Sequence, residues 1–113
     1  FQAVDENPPN DDTDYVSSST VGQRDSHAMG NLGGAYTTIR SLQAVFSGRK
    51  DDGTARSVGA VVVSGATTSD GAGASMGDTY AFYVTQYLTD PNTGAAWTNA
   101  NINLAECGVK VTA

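Results

Sequence analysis

His27 is the only histidine in the chain and follows directly on Ser26, so these two side chains come first in any search for catalytic chemistry. Acyl transfer of the Ser-His-Asp kind needs a nucleophile, a base and an orienting acid, and no Gly-x-Ser-x-Gly turn supplies the first. Adjacency alone does not make Ser26 the nucleophile of His27, so His27 reads as a loop residue. Twelve carboxylates leave the two-carboxylate chemistry of glycoside hydrolysis formally open, yet eleven fall in arm, loop or turn stretches. Glu106 is the exception, on an expected helical turn with no visible partner. Cys107 is the lone cysteine, which excludes an intrachain disulfide and leaves a cysteine metal site without partners. It reads as a small buried apolar side chain. The expectation is a protein that is not an enzyme and uses no cofactor.

Two further clusters remain. Asp11, Asp12 and Asp14 place hard oxygen ligands close together, a set that suits Ca²⁺, but neither a central Gly nor a Glu at the twelfth position follows Asp11. Solvated charge is the plainer reading, with calcium at Asp11, Asp12 and Asp14 as the sharper one. Gly30, Gly33 and Gly34 do not lead from a strand into a helix, so a phosphate cradle has no support. Tyr80, Tyr83, Tyr87 and Trp97 carry faces able to stack on sugar rings, although such residues more often fill a core.

The elements that would hold these residues are strands. Thr37 to Phe46 places Leu42, Ala44 and Phe46 on one face, and Ala55 to Ser64 carries Val58, Ala60 and Val62 on one side with Val61 and Val63 on the other. The second segment, apolar on both sides, predicts a central strand. Asp52-Gly53 between them predicts a hairpin joining 38–48 to 55–65. Residues 65–77 have no periodicity and read as a loop. Tyr80, Phe82, Val84 and Leu88 alternate with Ala81, Tyr83, Thr85 and Tyr87, which predicts a strand with Phe82 and Val84 in the core. Asp90 to Gly94 is a dense turn signal, and Thr98 is placed to cap a short helical turn that puts Ile102 and Ala105 inward, ends at Gly108 and leads into a last strand over Val109 to Thr112. Asp14 to Val21 reads as an edge strand, and Gly22 to Gly34 as a loop or a poorly patterned strand. The predicted core is Phe46, Val62, Phe82, Val84, Trp97 and Ile102.

Six or seven short strands without a βαβ rhythm predict an all-β fold, an antiparallel β-sandwich of jelly-roll-like type with one helical turn near 98–106. A small barrel is the alternative. Residues 1–14 hold five acids, no base and the pair Pro8-Pro9, and read as an extended acidic N-terminal arm ahead of one sandwich domain over 15–113. Phe1 and Val4 would pin its start, with Phe1 to Asp5 as a possible first strand. A chain of 113 residues with a formal charge of −6 disfavours nucleic acid and anionic lipid as partners. No apolar run reaches the ~18 residues of a membrane helix.

Three segments carry a resemblance: NPPNDDTDYVSSSTVGQRDSHAM, RKDDGTARSVGAVVVSG and DPNTGAAWTNANINLAECGVKV, in that order and over nearly the whole chain. Together they resemble a recurrent domain of tailed-bacteriophage virion structural proteins. The resemblance implies a virion component of jelly-roll-like fold with no catalytic residues to carry over, for example in capsid decoration, a head fibre or a tail. A small acidic sandwich with a polar arm agrees in kind, and the expected partners are other virion proteins and further copies of the same chain. The residues expected to touch them are Asp5, Glu6, Pro8, Pro9, Asp11 and Asp12 of the arm, with Tyr83 and Tyr87 of the domain. The alternatives are a carbohydrate- or receptor-binding module facing a host glycan and the subunit of an extracellular filament.

Overall fold

The structure is a computed structural model that describes residues 16–113. The arm over 1–14, the strand at Phe1 to Asp5 and the calcium ligands Asp11, Asp12 and Asp14 lie outside the described residues. The elements run β1 (Arg24–Ala28), β2 (Leu42–Gly48), β3 (Ser57–Ser64), β4 (Thr67–Asp70), β5 (Ala74–Ser75), β6 (Ala81–Tyr87), α1 (Asn99–Leu104) and β7 (Glu106–Val111).

The apolar character of β3 on both faces makes it the strand that others must cover. It pairs with β7 on one side and with β4 and β5 on the other, in a five-stranded sheet of order β1-β7-β3-β4 with β5 beside β3. Ala60, Val61 and Val62 are buried. The second sheet has only β2 and β6, antiparallel, with Val45 opposite Val84 at the middle of the register. The two sheets close on a core of Ala44, Ala60, Val62, Trp97 and Ala105, joined by Leu42, Phe46, Tyr87, Ile102 and Cys107. This is the antiparallel all-β sandwich expected from the sequence. Strands divided five and two do not define a jelly roll, which is built from eight strands in two Greek keys.

Several local expectations are corrected. Residues 16–21 form no strand, and the first described strand is β1, inside the stretch expected to be a loop or a weak strand. It exists because β7 supplies a full antiparallel partner, Arg24 opposite Lys110 through Ala28 opposite Glu106. The turn at Asp52-Gly53 does not close a hairpin: β2 and β3 belong to different sheets, so the turn is a corner across the sandwich. The true tight hairpin is at Gly65-Ala66, where Ser64 stands opposite Thr67 and Gly65 takes a φ of 56°, a left-handed value that favours glycine. The supposed loop over 65–77 therefore contains β4 and β5, held by backbone pairing with β3 that needs no apolar pattern.

Thr98 caps α1 as expected, its hydroxyl accepting from the Asn101 N–H at 3.2 Å. The helix stops at Leu104, and Gly108 lies inside β7 instead of ending the turn. A Cβ built on Gly108 would stand 1.8 Å from the Asp25 carbonyl oxygen, so the close approach of β1 requires glycine there.

The facing of β6 is the reverse of that expected. Phe82 and Val84 are exposed, at 67% and 58%, while Tyr83 and Tyr87 turn inward. Period two cannot choose between two apolar faces. The choice falls to Tyr83, whose ring stacks on Phe46 at 5.1 Å, and to Tyr87, whose hydroxyl donates to the Ser69 carbonyl at 3.3 Å beneath the larger sheet. Trp97 is buried, and its indole N–H donates to the Tyr87 carbonyl at 3.1 Å.

This facing sets opposite outcomes for two truncations. Trp97→Ala should cost about 3–5 kcal/mol, whereas Phe82→Ala should change stability by no more than about 0.5 kcal/mol. Urea denaturation of both variants checks the pair, and a large loss at Phe82 would restore the original facing.

Candidate functional site

The residues expected to do chemistry are dispersed. Ser26 and His27 alternate across β1, so hydroxyl and ring point to opposite faces of the sheet. Ser26 Oγ donates to Glu106 Oε1 at 3.1 Å, which gives Glu106 a partner on a strand, and His27 Nε2 lies 3.0 Å from Asp25 Oδ2. Cys107 is half-buried against the core, and burial pushes its thiol up, away from the reactive thiolate. Among the described residues no three His, Cys, Asp or Glu side chains group closely enough to hold a metal ion.

Of the residues expected to meet a partner, Asp5, Glu6, Pro8, Pro9, Asp11 and Asp12 lie outside the described residues. Tyr83 and Tyr87 are half-buried on the inner face of β6. Burial pushes the Tyr87 hydroxyl up, against the opposing hydrogen bond to Ser69.

Two charged groups, Asp90 and Asp70, are built for structure. Asp90 is fully buried, yet it accepts from Ser64 Oγ at 2.7 Å, from the Asn92 N–H at 2.9 Å and from Asn101 Nδ2 at 2.8 Å. Burial alone would raise its pKa; the hydrogen bonds from Ser64, Asn92, Asn101 and the Thr93 N–H together outweigh it and hold the carboxyl below its usual range. On the outer face of the larger sheet, Asp70 accepts from Arg24 Nε and Nη2 at 3.0 and 2.6 Å and from Lys110 Nζ at 2.7 Å. The Arg24 and Lys110 hydrogen bonds hold Asp70 well below the usual carboxylate range.

The outer face of the smaller sheet is different in kind. Val45, Phe82, Val84 and the neighbouring Leu88 are exposed, and Gln43, Ser47 and Gln86 share the face, so it carries no charge. The one signal for this patch in the sequence is the apolar character of β6 on both sides, which equally fits a strand with Phe82 and Val84 in the core.

Beside the same sheet, along the free edge of β2, lie two open cavities. One, of about 910 Å³, has Phe46, Ser47 and Gly48 of β2 on one wall and Asp25, Val109 and Val111 on the other. The second, of about 440 Å³, lies between Leu42 and Gln43 at the start of β2, Cys107, Ile102 and Ala105, and the connection from Met29 to Ser41 that forms the rest of its wall. No residue of β6 lines either, and the smaller lies on the side of β2 that β6 does not cover, while the larger also reaches Met76 and Tyr80 around the end of β2.

Comparison of the chain with protein-family models, with curated proteins and with solved structures finds no match.

Asp90→Ala should cost about 3 kcal/mol at neutral pH, because it strands the Ser64 and Asn101 donors and opens a buried site. The carboxyl's folded pKa is depressed, so its contribution is present above the unfolded value near 4 and is lost as pH falls through the folded value. The gap between parent and variant in urea midpoint should therefore narrow as the pH falls below about 4. A gap that stays constant over that range would mean that the charge of Asp90 contributes nothing.

Proposed function

We propose that this protein is a non-enzymatic subunit that works by protein–protein assembly, a virion structural component of the capsid-decoration, head-fibre or tail kind that its sequence resembles. The observation that carries the assembly reading is the uncharged apolar outer face of the β2–β6 pair, with Phe82 at 67% and Leu88 at 66% exposure. A contiguous patch of this kind costs solubility unless another surface covers it. Two strands alone are also marginal as a sheet in water, so a partner that covers β2 and β6 stabilises them directly. The virion placement rests on the sequence resemblance.

The carbohydrate reading relied on Tyr83, Tyr87 and Trp97 as stacking platforms. Trp97 is 3% exposed, and the two tyrosine rings turn toward the larger sheet. Nothing in their geometry favours it.

Light scattering on the full chain should find an oligomer at micromolar concentration. Phe82→Lys and Val84→Lys should each return it to a folded monomer whose melting temperature lies within about 2 °C of that of the parent diluted to monomer, since neither side chain is in the core and only the partner's contribution is lost. A parent that stays monomeric up to about 1 mM, the range of the weakest specific complexes, would overturn the assembly reading. Co-sedimentation with purified virions tests the placement.

A further inference from the structure

The larger sheet has five strands and the smaller has two, and the mismatch falls on one side. β2 packs over β3 and β7, and β6 over β3, with Tyr87 reaching Ser69 of β4. The inner face of the larger sheet beyond β2, toward β1, therefore has no strand above it. Both cavities lie in that lane, one at each end of β2. The connection between β1 and β2, from Met29 to Ser41, borders the smaller one, and Val16 to Thr20 border the larger. Phe46, Val58, Val109 and Val111 offer apolar contacts in the larger cavity, and Leu42, Ile102 and Ala105 do so in the smaller. Across β2's seven residues, about 23 Å at strand spacing, the backbone edge away from β6 has no strand beside it.

We propose that this lane takes a third strand for the smaller sheet, supplied by the amino-terminal segment, residues 1–15, of a second copy of this chain. The inference rests on the assembly reading and names its partner. Three observations choose the occupant. Fifteen residues reach about 50 Å when extended, ample for a seven-residue strand and a connection. The described chain begins at the lane itself, because Val16 to Thr20 line the larger cavity. Thr13 to Ser19 contain no Gly, Pro or Asn, and Asp14 and the serines are the only turn formers there, so a tight reversal back onto its own lane is disfavoured. A chain that passes the lane without reversing is delivered to a neighbour. Charge bears on the choice only weakly: Arg49, Lys50 and Arg56 line the larger cavity while the segment holds five acids and no base, but Arg56 is paired with Asp52, and Arg24, which also borders the cavity, turns its guanidinium to Asp70 on the outer face. Asp25, Asp51 and Asp52 also line the larger cavity, so the apolar walls and the open edge of β2 carry the binding, and charge only orients the strand.

The test is amide hydrogen exchange on the full chain over a dilution series, with light scattering on the same samples. Amides of residues 42–48 should exchange at least about tenfold faster in the diluted monomer than in the oligomer. A synthetic peptide of residues 1–15 in excess should split the oligomer yet keep those amides protected, because it occupies the lane. An oligomer that ignores the peptide, with exchange at 42–48 independent of concentration, overturns the strand exchange. If that oligomer still dissociates on Phe82→Lys, assembly through the apolar face stands without it. A full chain that is monomeric at every concentration overturns both.

Discussion

The buried carboxylate of Asp90 holds together the one corner where every layer of the fold meets. Its oxygens take hydrogen bonds from the end of β3 through Ser64, from its own turn through Asn92, and from α1 through Asn101. Its backbone closes the turn as well, with Asp90 N–H donating to Ala95 and Gly94 N–H donating to Asp90. An ion at zero exposure is expensive unless its lone pairs are filled, and here they are. Filling them fixes where β6 ends, where Trp97 enters the core and how the β3–β4 hairpin seats, since Asn92 lies against Gly65 and accepts from Thr67. The smaller sheet has only two strands, and this corner gives it an anchor that its own pairing cannot supply.

The two outer faces show the same molecule solving one problem in two ways. Over the larger sheet, Arg24 and Lys110 converge on Asp70, on the face that also carries Val61, and that surface is finished in water. The smaller sheet presents Val45 and Val84 side by side on a face whose strand residues carry no charge. Of the described residues, seven are acidic and six basic, so the body of the protein is close to neutral and most of the net charge lies in the first fifteen residues. Neutral bodies approach each other without a large electrostatic cost.

Much of the fold could be read from the sequence where one constraint acted alone. The valines of β3 announced a central strand, Thr98 announced a helix start, and Asp90 to Gly94 announced a turn. Reading failed where two constraints competed. Phe82 and Tyr83 are both good strand residues with apolar bulk, and only the stacking on Phe46 and the hydroxyl of Tyr87 decide which face turns inward. β1 and β4 have few apolar residues and exist through pairing with distant strands, which no local window contains. Asp52-Gly53 has hairpin chemistry, but its flanking strands find better partners in β6 and β7. The candidate surface was hidden for the same reason as the facing of β6.

The pairing of β7 has a consequence for the order in which the fold can form. β7 is the last strand described, and it lies between β1, the first, and the central strand β3. Gly22 and Gln23 exchange backbone hydrogen bonds with Val111, so the two ends of the sandwich meet. During synthesis β1 and β3 both wait with an open edge until the chain has been made through Val111. The larger sheet then closes in one late, long-range step, which makes for slow folding and a growing chain rich in unpaired strand edges.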